Sequence, residues 1–144
     1  MPRIEKLWVK PAKGAAMEPA EELTIVADEG VSGNKPQQRH VTFIAQERWA
    51  ELMNQMGADL DPATRRANVL LSGIDLIEST GKTIRIGDVE LIVRGETLPC
   101  RQMEAALPGL EEAMRDRWGG GAWTEVVTGG TIRTGDAVEI SDGE

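Results

Sequence analysis

TIRIGDVELIV, residues Thr83 to Val93, reads as a strand, a Gly-Asp turn and a second strand, with apolar residues alternating on either side of Gly87-Asp88. A similar string, TIRTGDAVEI, returns at Thr131 to Ile140. Both are expected to form β-hairpins. Ten similar residues are too few to define a repeat architecture, because alternating hairpins converge on such strings. The likeness concerns turn chemistry only.

Working outward toward the amino terminus, IEKLWV (Ile4 to Val9) and ELTIVA (Glu22 to Ala27) read as strands. Between them Pro11, Gly14 and Pro19 predict a loop with no strand or helix. EGVSGNKPQ (Glu29 to Gln37) is dense in turn residues and leads into RHVTFIA, a third strand from Arg39 to Ala45. Trp49, Leu52, Met53 and Met56 recur at spacings of three and four, which predicts an amphipathic helix from Gln46 to Met56 that stops at Gly57. Asp61-Pro62 supplies a cap and a first-turn residue ahead of the strand-like NVLLSG at Asn68.

Toward the carboxyl terminus, PGLEEAMRDRW predicts a helix with Pro108 in its first turn and Leu110 and Met114 on one side. It stops at Gly119-Gly120-Gly121, and Ala122 to Thr128 supplies a further strand. The expected fold is mainly β: a small closed or partly closed barrel of about seven or eight strands with two or three short helices, an arrangement that removes exposed sheet edges.

With 144 residues, 40% hydrophobic and 28% charged, the sequence fits a single folded domain over 1–144. A formal charge of −8 opposes nucleic acid and anionic membrane surfaces, so neither is an expected partner. No apolar run approaches a membrane span, and MPRIEKLWVKPAKG has neither the pattern of a signal peptide nor that of an anchor. One cysteine cannot form an internal disulfide, which makes the cytoplasm the expected compartment.

Phosphate-binding loops, nucleophile elbows and zinc-ligand spacings are absent from the sequence, and one Cys with one His cannot close a zinc site without carboxylates. GETLPCRQMEAALPG (Gly95 to Gly109) stands out instead. Cys100 follows Pro99 at the end of a predicted strand, and the neighbouring Arg101 would favour its thiolate, the form that attacks sulfur or ligates a soft metal. A small buried hydrophobe is the other reading of a free cysteine. Arg65 and Arg66 could clamp an oxyanion bidentately, and Arg39 and Arg94 are further candidates for a small anion. Asn68 could hydrogen-bond a ligand or close a turn. His40 fits a hydrogen-bonded structural role, and Trp8, Trp49, Trp118 and Trp123 suit the core or a surface contact.

Taken in order, these segments resemble the MOSC domain, the module found at the carboxyl end of molybdenum cofactor sulfurases and as a stand-alone bacterial protein. GVSGN (Gly30 to Asn34) with RHVTFI resembles the family's glycine-rich loop and following strand. RANVLLSGIDL (Arg66 to Leu76) resembles its Arg-x-Asn strand, KTIRIGDVELIV its central hairpin, LPC (Leu98 to Cys100) its Pro-Cys signature, and Gly129 to Ile140 its closing hairpin. The resemblance runs from Thr24 to Ile140. It departs at Gly33, Asn34, Lys35 and Pro36, where members often carry Gly-Asp-x-His, so an acid and a histidine are missing.

The resemblance implies a β-barrel and a cysteine, here Cys100, that carries sulfur as a persulfide or gives a thiolate to molybdenum in a pterin-bound cofactor. Basic and amide side chains would hold the pterin; the matching positions are Arg66, Asn68 and Arg39, with Arg101 beside the thiol. The implied activity is that of a Mo-dependent oxidoreductase reducing N-hydroxylated compounds, or of a sulfur transferase. The partners would be the cofactor, a sulfur donor and a separate redox protein. Nothing resembles the aminotransferase-like half of the larger sulfurases, so pyridoxal phosphate is not expected. A non-catalytic barrel binding a small anion or a partner protein, with Cys100 inert, is the alternative.

Overall fold

The computed structural model describes residues 2–10, 17–27, 30–31, 41–98 and 101–142, and for Arg101 and Gln102 the backbone only. Eleven strands and three α-helices lie among them. In chain order the strands are β1 (Arg3–Val9), β2 (Glu18–Ala20), β3 (Glu22–Val26), β4 (Gly30–Val31), β5 (Val41–Ala45), β6 (Val69–Ser72), β7 (Thr83–Ile86), β8 (Val89–Glu96), β9 (Ala122–Thr128), β10 (Gly130–Arg133) and β11 (Glu139–Ser141). The helices are α1 (Gln46–Met56), α2 (Arg101–Ala106) and α3 (Leu110–Met114), with a 3-10 turn at Pro62–Arg65.

Eight strands form one curled sheet in the order β11-β7-β8-β9-β5-β6-β1-β2, and β10-β3-β4 form a smaller one. The chain just ahead of β11 returns to the start of β1. Ile4 N donates to Asp136 O (2.9 Å), Gly135 N to Ile4 O (2.8 Å) and Val138 N to Pro2 O (3.1 Å). These bonds join the β11 side of the sheet to β1, so the molecule is a mainly β, partly closed barrel. Closure of this kind satisfies backbone groups that an open edge would leave to solvent or to another chain.

Within this antiparallel framework β5 and β6 run parallel, Phe43 opposite Val69 and Ala45 opposite Leu71. A parallel pair needs a crossover, and α1 supplies it. Both faces of the pair are consequently covered. Val41, Phe43, Val69 and Leu71 join the barrel interior with Ile4, Leu7, Ile84, Leu91 and Val93. Ile44 and Leu70 face outward into a second core with Trp8, Trp49, Leu52, Met53, Met103, Leu110 and Met114. The three-and-four spacing of α1 is what presents Trp49, Leu52 and Met53 together, and Gly57 ends the helix in the left-handed conformation at φ 65°. Phe43 is fully buried; truncating such a ring to alanine costs about 3–5 kcal/mol.

Four expectations are corrected. The second Gly-Asp segment is not a hairpin: β10 pairs with β3 and β11 with β7. Its turn is still made, with Arg133 N donating to Asp136 Oδ2 (2.8 Å) and Asp136 N to Arg133 O (3.0 Å). The outgoing chain, however, is captured by Pro2 and Ile4 instead of returning on β10. Pro19 lies in a strand, opposite Trp8 in β2. It is tolerated because β2 is the last strand of its sheet, where a missing N–H can face away from the partner.

Pro108 precedes its helix instead of opening it. The N-cap of α3 is Gly109 at φ 91°, and the Glu104 carboxylate accepts from Gly109 N (2.9 Å) and Glu111 N (3.4 Å), capping α3 from α2. Asp61 does cap as expected, its Oδ1 accepting from Ala63 N (2.8 Å), but it opens a single 3-10 turn. The strand count exceeds seven or eight because β2 and β4 are short and β10 and β11 separate.

Candidate functional site

β8 carries the chain toward Pro99 and Cys100, which lie outside the described residues, as do Arg39, His40, Gly33, Asn34 and the side chain of Arg101. The approach is described as far as Leu98, which is 55% exposed, the largest value among the big apolar side chains. On the far side the chain resumes in α2, whose Met103 is buried in the outer core.

The last residues of the approach are unusual. Glu96 Oε2 and Thr97 Oγ1 are buried with no hydrogen-bond partner among the described residues. A buried polar atom without a bond costs about 1–3 kcal/mol, so two in succession need a reason. Burial pushes the Glu96 carboxyl above the usual carboxylate range, because a low-dielectric surrounding disfavours the charged form.

Thr97 is held in place by a glycine turn. Its N–H donates to Gly121 O (2.9 Å), and a Cβ on Gly120 would lie 2.1 Å from Thr97 O, one on Gly121 2.0 Å from Phe43 O. Gly119-Gly120-Gly121 therefore does more than stop a helix: it lets two backbones approach as no side chain would permit. Arg65 fastens the same turn, its buried Nε donating to Gly120 O (2.8 Å). The 3-10 turn bearing Arg65 and Arg66 is thus tied to the end of β8 through the glycines. Arg66 closes that turn in the left-handed conformation at φ 66°, a strained state for a residue with a side chain, and one that clusters at functional sites.

Asn68 is placed differently. Its Nδ2 donates to Trp8 O (3.1 Å), and its Oδ1 accepts from Thr42 N (3.2 Å) and Thr42 Oγ1 (3.3 Å). The amide clasps β1 and β5 on either side of β6 and is 1% exposed. Arg94 stands on the solvent face of β8, paired with Glu125 (Nε to Oε1, 2.8 Å), and is not brought to the site. Trp8 and Trp49 are core residues, and Trp49 Nε1 donates to Leu60 O (3.0 Å).

Among the described residues no group of three or more His, Cys, Asp or Glu side chains is arranged to hold a metal ion. No helix among them is long and apolar enough to cross a membrane. Sequence reasoning overlooked Glu96, Thr97 and the glycine turn; the signal that could have found the turn was three consecutive glycines where one would stop a helix.

Solved structures share this architecture. YuaD from Bacillus subtilis superposes with a TM-score of 0.83 at 21% identity, over 100% of this chain and 98% of its own. YiiM from Geobacillus stearothermophilus gives 0.77 at 15% identity, over 98% and 75% of the two chains. YiiM from Escherichia coli gives 0.72 at 16%, over 96% and 69%. No curated protein matches in sequence. The family model of the MOSC domain matches residues 28–139, a span that contains both the glycine turn and the end of β8, and the chain therefore belongs to the MOSC domain family.

Proposed function

We propose that the protein binds a pterin-bound molybdenum cofactor through the Cys100 thiolate, at the end of β8. The observation that carries this reading is the pair of buried, unbonded polar atoms, Glu96 Oε2 and Thr97 Oγ1, directly ahead of Leu98-Pro99-Cys100. Neither atom has a partner among the described residues, and a polar ligand would supply one.

The residues fit such a group. A pterin presents ring donors and acceptors to Glu96 and Thr97, and its phosphate needs cations, which the turn of Arg65 and Arg66 brings to the same neighbourhood. Arg39 and Arg101 would complete the phosphate cradle, with Arg101 also favouring thiolate at Cys100. Asn68 acts behind this site, fixing the start of β6 so that Arg66 is presented in one conformation. Glu96, whose burial favours the neutral carboxyl, can hold a proton beside the site at a pH where an ordinary carboxylate has lost it.

The cofactor, when bound, would supply the two-electron reduction of an N-hydroxylated substrate, with electrons from a separate redox protein. Alternatively the same thiolate would carry sulfur as a persulfide, received from a donor protein. Either role suits the cytoplasm, where a lone thiol stays reduced.

The test is molybdenum and pterin content after production in a host that makes the cofactor, with Cys100→Ser alongside. Near-stoichiometric cofactor in the wild type and loss in the variant is the expected result. Cofactor retained by the folded variant overturns the thiolate assignment. If neither protein carries cofactor while the wild type yields labelled persulfide, sulfur carriage replaces it.

A further inference from the structure

A second cleft lies at the carboxyl ends of the parallel strands, and its inner end reaches Gly119 of the glycine turn. An open cleft of about 500 Å³ is bordered by Ala45, Arg48, Gly73, Asp75 and Arg117, within the size range of small-molecule pockets. Behind it is a chamber of about 10 Å³ that shares Ala45, Arg48, Asp75, Ile77 and Arg117 with the cleft. That is room for one atom the size of a water oxygen.

Arg48 lines both spaces and is 7% exposed. Its Nη2 donates to Asp116 O (2.9 Å), whereas Nε and Nη1 have no hydrogen-bond partner among the described residues. Nη1 has only a 3.6 Å ion pair to Glu51, a side chain that is itself 55% exposed. A buried guanidinium with two donors unspent is costly. The site adds further positive potential. The N-cap of α1 is Ala45, which provides no side-chain bond to the first turn, and the positive end of a helix attracts anions. Arg117, about half exposed, borders the cleft in a left-handed conformation at φ 46°, its Nε 3.4 Å from the exposed Asp116 carboxylate, which a bound anion would compete with.

The carboxylates of the cleft define the ligand. Glu47 accepts from Gly73 N (2.8 Å) and Asp75 from Ile77 N (2.9 Å), so both are engaged by backbone. Together with Glu51 they outnumber the two arginines. The resulting net charge of −1 repels a dianion about twice as strongly as a monoanion, and a planar carboxylate also matches the fork of the buried guanidinium. We infer that this cleft is a second binding site for a small molecule bearing a carboxylate, one oxygen entering the inner chamber against Arg48 and the remainder lying in the outer cleft under Arg117.

The Arg48 Nε–H resonance in ¹⁵N-labelled protein reads this directly during titration with sodium acetate at constant ionic strength, with sodium phosphate as the competing anion. Acetate should shift the resonance saturably and phosphate should do so more weakly. Arg117→Ala, a change at an exposed side chain, should weaken acetate roughly tenfold, the worth of one charge-assisted bond. Glu51→Gln should tighten it about two- to fivefold by removing a competitor. Cys100→Ser should leave the titration unchanged. The inference is overturned if acetate leaves Nε–H unmoved, the result expected when a water fills the chamber. It is equally overturned if phosphate binds at least as tightly as acetate, if Arg117→Ala has no effect, or if Cys100→Ser abolishes the shift.

Discussion

Asn68 and Thr97 are both polar, both almost fully buried, and resolved in opposite ways. Asn68 spends its amide on the backbones of β1 and β5. Thr97 is pressed against a glycine turn that satisfies its backbone N–H, while its hydroxyl has no partner among the described residues. The first arrangement stabilises the fold, because each bond replaces one that water would have made. The second costs stability. On the proposed reading, the contrast separates a polar group kept for architecture from one kept for a ligand, although the two are equally buried.

The largest expected effect is on the architectural side. Asn68→Ala leaves Trp8 O and Thr42 N without their partner and should lower unfolding stability by about 2–4 kcal/mol in denaturant titration. A cost below about 0.5 kcal/mol would erase the distinction. Gly120→Ala comes next: its Cβ would collide with Thr97 O, and relief by backbone shift should cost about 1–3 kcal/mol. It should also lower cofactor content, since the turn that sets Thr97 would move.

Thr97→Val has the opposite sign. Replacing an unbonded hydroxyl with a methyl of the same shape should stabilise the apoprotein by about 1 kcal/mol, while cofactor content falls. Loss of stability in this variant would mean that the hydroxyl is bonded after all.

The smallest effect belongs to Glu96, and its signature is a pH profile. Because burial raises its folded value, the native state binds this proton more tightly than the unfolded chain. Stability therefore falls as pH rises from about 4.5 through the raised value, and stays lower beyond it. Glu96→Gln should remove that fall. Glu5 runs the other way: bonds from Ser72 Oγ and Arg3 Nε hold its carboxyl below the usual range. Its contribution is present above about 4.5 and is lost as pH falls through the lowered value. Identical profiles for the wild type and Glu96→Gln would show the carboxyl to be solvated.

Elements with a strong period were legible before any coordinates. α1 and β9 fall where periodicity and glycine put them, and β7 and β8 form the hairpin that Gly87-Asp88 prescribes. Pairing partners were not legible. Thr131 to Ile140 has nearly the same letters as Thr83 onward, yet its two halves enter different sheets, because the competing partner, Pro2 to Ile4, lies more than a hundred residues away in sequence. Close backbone approach was equally hidden, since a triple glycine reads as a helix stop whether or not a chain passes over it. Arg48 did leave a trace: it stands four residues before Leu52 on the apolar side of α1, a position where a charge calls for a partner. Of the site residues named from sequence, Arg66 and Asn68 are described near or behind the end of β8, whereas Cys100 and Arg39 lie outside the described residues.

The bonds between residues 135–138 and the first residues of β1 also set an order of events. During synthesis β1 can pair with β6 once about half the chain has emerged, but its first residues wait for a partner made near the end. Until then the β1 start and the β7 edge that receives β11 are open strands, able to pair with another molecule. Long-range closure of this kind slows folding. Variants that weaken the 135–138 contacts should therefore aggregate during expression more than their equilibrium stability would suggest.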